Sequence, residues 1–460
     1  MPSSQAVWTV IGASAAVLLV IALWTMRRAR TLDGFHLADR ELGAIRGGLS
    51  GVASAYSFWA MVGVTGAAFT LGWSAIWLAL GILLGAAFSW FVVGPALRRR
   101  ANAANAGTAL ELAGAGAATV SVTSIAAVAV LFGIVAQLGF AGGAVARGLG
   151  LSTAAGVMLV AALALVGPVL GGLRATASAG VLCALVVIPA AVLLPQFGLI
   201  FVGGFDQLRS GLATTGEGAA ALLGGRGALD ATVLLLAAAG LGASTCGQPQ
   251  VLDQYLAARS ERSIRWSGVI AVLWLVVVLA GALALGWVAR IDYASIDNPD
   301  VVMFEVPRRI MAPSFVALPI LAVLALVVCS VGNQLVTTCY ALLAVARNRD
   351  APPVSLGRLR VTILLAGVAA AVIAAVSGVD SSRGFLLAWL ATSATVGPLV
   401  LLACAGVRVR NGWAAAAARV AIALSLVLFL LRRERLIEIA MFLPFYAAML
   451  VALLGRQRQA

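Results

Sequence analysis

Residues 47–66 read GGLSGVASAYSFWAMVGVTG. The stretch is long and apolar enough to cross a bilayer as one helix of about 20 residues. Yet glycines recur through it, with Ser50, Ser54 and Ser57 among them. A helix interrupted in mid-membrane frees backbone carbonyls and presents half-helix ends, which protein, water or a ligand must then satisfy. A second stretch, AAAGLGASTCGQPQ at 237–250, repeats the pattern: Gly240, Gly242, Gly247 and Pro249 surround Ser244, Thr245 and Gln248. Small residues also let membrane helices approach closely, and the residue pattern alone leaves both readings open.

The 460 residues around these stretches are 62% hydrophobic and 10% charged. A soluble domain carries about 25% charged residues, so the sequence describes an all-α integral membrane protein. Apolar runs predict about 13 transmembrane helices, near 7–26, 47–71, 73–97, 119–145, 151–170, 176–202, 231–247, 267–289, 314–345, 361–378, 385–405, 413–431 and 436–454. Each quoted stretch opens a block of five, 47–202 and 231–405. Five is odd, so the blocks run with opposite topology: a five-plus-five inverted repeat within a single domain over 1–460. Segment 7–26 is an extra N-terminal helix, and 413–454 holds two C-terminal ones. Paired interruptions at corresponding positions of inverted repeats point to a transporter's binding site.

The 31 basic residues are all arginine, against 17 acids, for a net charge of +14. Arg27, Arg28 and Arg30 directly follow the first helix, which places its N-terminus outside by the positive-inside rule. Alternation from there puts 20 arginines inside and 10 outside, with Arg419 inside a span, so the C-terminus is cytoplasmic and the location an inner membrane. Arg432, Arg433 and Arg435 dissent, falling in an outside turn. The arginines are scattered over many short loops, which is not the tract a nucleic-acid partner requires. The partners expected are the bilayer and a small solute.

No P-loop, GxGxxG or HExxH occurs, and the five cysteines lie in apolar runs without CxxC spacing. The chain therefore reads as no enzyme and as needing no cofactor beyond a coupling ion. His36, the single histidine, cannot build a metal or proton-relay cluster alone. Asp and Glu fall in loops or at span edges, so a bound cation must be held by neutral oxygens. A third segment, LALVVCSVGNQLVTTCYALL at 324–343, offers Cys329, Ser330, Asn333, Gln334, Thr337 and Thr338 in one otherwise apolar helix. Two outside connections, 203–230 and 290–313, read as solvated loops or short surface helices, or as a lid over an outer vestibule. Trp8, Trp24, Trp73, Trp266, Trp287 and Trp413 read as headgroup anchors at span ends.

At these segments the chain resembles the sodium/solute symporter family, most closely its sodium/proline branch. DGFHLADRELGAIRGGLSGVASAYSFWAMVGVTGAAFTLGWSAIWLALG is similar to the family's loop, interrupted helix and following span. GQPQVLDQYLAARS is similar to the motif after the second interrupted helix, and AWLATSATVGPLVLL with RNGWAAA to the eleventh and twelfth helices. The resemblance runs in unbroken order over roughly residues 30–450. It implies a leucine-transporter-type fold and cation-coupled, sodium-driven symport of a small polar organic solute, such as an amino acid, by alternating access. Carried over by motif, the cation would be held by the carbonyls of Ala53, Tyr56 and Leu326 and the side chains of Cys329 and Ser330. The solute would lie at Ser57, Trp59, Leu241, Thr245 and Gln248. Two family acids are missing: Ala55 stands in the first broken helix and Gly180 in the sixth, where the proline branch carries aspartate. Sulfur at Cys329 is also a softer ligand than the serine oxygen a hard cation prefers. These departures frame two rivals, a membrane sensor or scaffold that keeps the fold without transporting, and an uncoupled facilitator.

Overall fold

The computed structural model describes residues 4–113, 116–216, 218–292, 296–346, 354–377, 382–431 and 435–457. Of the arginines used to set topology, Arg347, Arg349, Arg432, Arg433 and Arg458 lie outside the described residues. The helices in chain order are α1 (Ser4–Met26), α2 (Leu32–His36), α3 (Ala44–Tyr56), α4 (Val62–Leu71), α5 (Ile76–Phe88), α6 (Gly94–Ala104) and α7 (Ala117–Leu149). They continue as α8 (Thr153–Phe201), α9 (Phe205–Thr214), α10 (Ala228–Ser244), α11 (Pro249–Ala257), α12 (Glu261–Asp292) and α13 (Val302–Ile310). The last six are α14 (Ala317–Val345), α15 (Leu356–Ser377), α16 (Ser382–Cys404), α17 (Asn411–Leu430), α18 (Arg435–Ala440) and α19 (Leu443–Leu454).

Among the described residues, 10 segments are long and apolar enough to cross a membrane, and Ile11–Met26 is a shorter one. Two segments, Val62–Ala104 and Thr153–Phe201, run to 43 and 49 residues, about twice what a bilayer needs. In the second, the loop expected between 170 and 176 has shrunk to a reversal at Gly172 (φ 59°, ψ −147°), a left-handed conformation that glycine adopts without strain. A Cβ on Gly167 would stand 3.5 Å from Thr176, nine residues on. A straight helix would hold those positions about 13 Å apart, so the chain doubles back there.

Both expected interruptions are present. Helix α3 ends at Ser57, whose φ of 49° and ψ of −149° break the helix before a 3-10 turn at Ser57–Ala60 leads into α4. Helix α10 ends in a 3-10 turn, Thr245–Gly247; Gln248 is extended, and Pro249 opens α11 where its missing N–H costs nothing. The packing repeats with the blocks exchanged: α3 and α4 lie along α12, while α10 lies along α5. The second contact is made by glycines. A Cβ on Gly81 would run into the Ala238 carbonyl, and one on Gly85 into the backbone of Gly242. Helices α14 and α16 form the centre, with 89% and 94% of their apolar stretches buried, against 33% for α15.

Two expectations about the surface change. Connection 290–313 carries a short helix, as one reading expects, but not one lying free on the surface: α13 buries Val302, Met303 and Val306 and packs on α4, α8 and α12. Trp287 is no lipid anchor either, being 7% exposed, stacked on Trp73 at 4.6 Å, and donating its indole N–H to the Gly72 carbonyl at 2.8 Å. Trp8, Trp24, Trp266 and Trp413 remain exposed, as anchors would be.

Candidate functional site: two broken helices against α14

A helix ending inside a protein leaves its last carbonyls without intrahelical partners. At the end of α3 one carbonyl is capped locally and the next two find partners on distant elements. The Ala53 carbonyl accepts the Ser57 N–H. The Ser54 carbonyl accepts the Ser330 hydroxyl at 3.1 Å and the Gln250 amide at 3.4 Å. The Ala55 carbonyl accepts the Trp389 indole N–H at 2.7 Å. Of the expected cation ligands, Ser330 reaches the end of α3 at the Ser54 carbonyl, Cys329 lies against Ser50, the Ala53 carbonyl is taken by the Ser57 N–H, the Tyr56 hydroxyl faces Thr245, and Leu326 is buried on α14 one turn before Ser330.

Cys329 sits one turn farther along α3, where its thiol lies 3.7 Å from the Ser50 carbonyl. Around it runs a neutral network: Asn333 donates to the Ser50 hydroxyl (3.2 Å), and Thr176 donates to the Asn333 amide oxygen (2.6 Å). Gly180 completes it. A Cβ there would stand 2.6 Å from the Ser50 hydroxyl and 2.9 Å from the Cys329 sulfur, so the position admits no larger residue while those neighbours stay.

The expected solute residues divide. Ser57 donates to the Gln137 amide oxygen (2.8 Å), and Gln137 donates onward to Gln334 (2.8 Å) and to the Gly133 carbonyl (3.2 Å). Trp59 lies flat against Gly63, where any Cβ would collide with its indole. On the other side of the break, Thr245 lies 2.9 Å from the Tyr56 hydroxyl, and Gln248 donates to the Trp389 carbonyl (3.0 Å). Leu241 is wholly buried on α10. Ser57 therefore shares a wall with Gln137 and Gln334, whereas Thr245 and Gln248 brace α10 and α11 against α3 and α16. Sequence reading missed Gln137 and Trp389. Gln137 carried a signal, as the lone amide in an apolar span, where polar side chains are rare and mark pathways.

The site is closed at both ends. Phe58 stacks on Phe140 at 4.4 Å and lies 5.2 Å from Phe385, and Phe140 reaches Phe304 of α13 at 6.2 Å. At the opposite end, Leu42 pairs with Ala258, and the Arg98 guanidinium donates to the carbonyls of Leu256, Ala258 and Arg259.

A broken-helix pair of this kind, sealed by aromatic rings at one end and an arginine at the other, is an alternating-access arrangement. The sodium:solute symporter family model matches residues 35–418. The chain belongs to that family. It is similar to the sodium/proline symporter of Escherichia coli (strain K12), 27% identical over 422 residues that cover 86% of this chain and 82% of that one. It is also similar to the osmoregulated proline transporter OpuE of Bacillus subtilis (strain 168), 23% identical over 433 residues, 88% and 84% of the two chains. Among solved structures it resembles a Na+-coupled sialic acid symporter in a substrate-bound outward-open state, with a TM-score of 0.80 at 16% identity over 99% of both chains. It also resembles Mhp1, a nucleobase-cation-symport-1 family transporter, with a TM-score of 0.56 at 12% identity over 92% and 94% of the chains. The fold is the leucine-transporter type, and this family member is a secondary transporter, not an enzyme. The rival of a non-transporting sensor is not favoured, since the family and these relatives are transporters.

Proposed function

We propose that this symporter couples sodium entry to uptake of a small, neutral or zwitterionic solute of the amino-acid class, with proline the first candidate. The observation that carries the reading is the hydrogen bond from Ser330 to the Ser54 carbonyl at 3.1 Å, which ties α14 to the open end of α3. A cation entering there would take over the carbonyls of Ala53, Tyr56 and Leu326 and the side chains of Ser330 and Cys329. Carbonyls at a helix C-terminus carry partial negative charge, which suits a monovalent cation or a solute ammonium. The α4 and α11 ends present N–H groups, which suit a solute carboxylate. Ser57, Trp59, Gln137 and Gln334 supply hydroxyl, indole and amide groups without formal charge, which fits a neutral or zwitterionic solute.

In this reading the chain crosses an inner membrane thirteen times, N-terminus out and C-terminus in. Arg40, Arg98, Arg99, Arg174 and Arg259, all expected inside, gather at one end, where Arg174 pairs with Asp39 and Arg99 with Glu261.

Uptake into proteoliposomes across a panel of labelled solutes, under imposed sodium, potassium and proton gradients, tests the proposal. Sodium-stimulated accumulation of at least one amino acid is expected. Uptake that ignores every gradient would reduce the protein to a facilitator.

A further inference from the structure

One acid just past a span end meets the single histidine inside the protein. Asp253 on α11, beyond the span Ala228–Gly247, is 1% exposed, and its Oδ2 lies 3.8 Å from Nε2 of His36, itself 2% exposed. That separation is too long for a hydrogen bond. Instead, His36 Nε2 pairs with the Gly107 carbonyl at 3.1 Å, while its ring stacks on Tyr340 at 3.7 Å. Asp253 Oδ1 accepts the Ala109 N–H at 3.1 Å. Two buried polar atoms here lack a partner, Asp253 Oδ2 and His36 Nδ1. Buried polar groups are nearly always paired, so this cluster is built to hold something small.

We propose that Asp253 and His36 form a proton-binding site, which keeps one proton on Asp253 while the inner end is closed and releases it to the cytoplasm when that end opens. The ligand is a proton because Asp253 Oδ2 is buried without a hydrogen-bond donor, and among the described residues no set of three or more His, Cys, Asp or Glu could hold a metal. The location suits a gate: Asp253, His36, Ala109 and Tyr340 belong to four different elements, and the Leu42–Ala258 pairing and Arg98 clasp lie beside them. The charged and titratable groups facing the site from those elements are Arg40, Glu111, Tyr340 and Arg98; Arg46 of α3 is partly exposed. The proposal concerns the inner gate and stands whichever cation drives transport.

The two groups respond to opening in opposite senses. Burial pushes the Asp253 carboxyl up from 3.8 to about 7, with the Ala109 N–H and the Thr337 hydroxyl opposing and Glu111 assisting. Burial pushes His36 down from 6.5 to about 3, against the Gly107 bond. Opening therefore lets Asp253 lose a proton between pH 3.8 and about 7, and lets His36 gain one between about 3 and 6.5. Between pH 3.8 and 6.5 the two changes cancel. Only near pH 7 does net release remain, and there rising pH favours the open state.

Electron paramagnetic resonance distances between spin labels at the exposed positions Ile45 and Arg358, in proteoliposomes without solute or sodium, read the opening directly. The wild type should change little between about pH 4 and 6.5 and shift toward the open state as pH rises through neutrality. In His36→Asn, which keeps a donor for Gly107, the dependence should stretch down to about pH 4 and grow to roughly a hundredfold or more. In Asp253→Asn, an isostere of the protonated acid, the neutral step should vanish and opening should instead increase as pH falls below 6.5. Wild-type profiles in both variants overturn the proposal, and either variant suffices if the other does not fold. Failure of sodium-driven uptake with these pH profiles intact would refute the coupling reading and leave the proton site standing.

Discussion

Gly180 and Ser50 touch so closely that a Cβ added at Gly180 would stand 2.6 Å from the serine hydroxyl. Two helices of the first block and the middle of one from the second meet there, since Cys329 of α14 completes the contact. The absent acid at position 180 is thus part of a packed neutral network and not an empty ligand position.

Gly180→Ala should therefore lower stability by about 1–3 kcal/mol, the usual cost of overpacking. Gly180→Asp alone should fail to fold or transport, whereas pairing it with Ser50→Gly should recover much of the folded yield. Melting temperatures from fluorescence-detected size exclusion check this. An unchanged melting temperature for Gly180→Asp would contradict the packing.

Cys329→Ser places a hard oxygen beside the end of α3 in place of a soft sulfur. The sodium concentration for half-maximal uptake should fall several-fold. Ser330→Ala, which removes the donor to Ser54, should raise it by roughly tenfold, about 1.4 kcal/mol of a charge-assisted contact. Identical sodium curves for both variants and the wild type would remove Cys329 and Ser330 from the cation site.

Gln137→Leu leaves Ser57 and Gln334 without their shared partner. Leaving buried polar groups unpaired costs about 1–3 kcal/mol, so solute affinity should drop by roughly tenfold or more while sodium dependence holds its shape. Equilibrium binding of the solute identified in the uptake panel is the measurement, with Gln137→Glu as a near-isosteric companion.

Gly85→Val should prevent α5 and α10 from approaching, because even a Cβ would enter the Gly242 backbone. Loss of monodisperse protein is expected, and a normal elution profile would mean that the α5–α10 contact is looser than described.

The two interruptions were legible because their causes are local. Glycine, serine and proline at 47–66 and 237–250 weaken a helix wherever it packs, and the breaks fall at Ser57 and at Thr245–Gln248. Hydropathy likewise announced the spans, since a bilayer imposes their length directly. The inverted blocks followed from counting those spans, and exchange packing of α3–α4 on α12 and of α10 on α5 bears them out.

What fills the breaks was decided by tertiary structure. Ser57 meets Gln137 across 80 residues, and Ala55 meets Trp389 across 334, separations that no local pattern encodes. Thr245 and Gln248 were placed beside the solute by motif, but their partners turn them toward Tyr56 and Trp389. Asp253 read as a loop acid until folding carried it to His36. A chain of apolar spans determines where helices run and where they must break, because water and lipid act on each residue separately. Which polar groups meet inside depends on helix contacts between distant segments, and those exist only once the chain has packed.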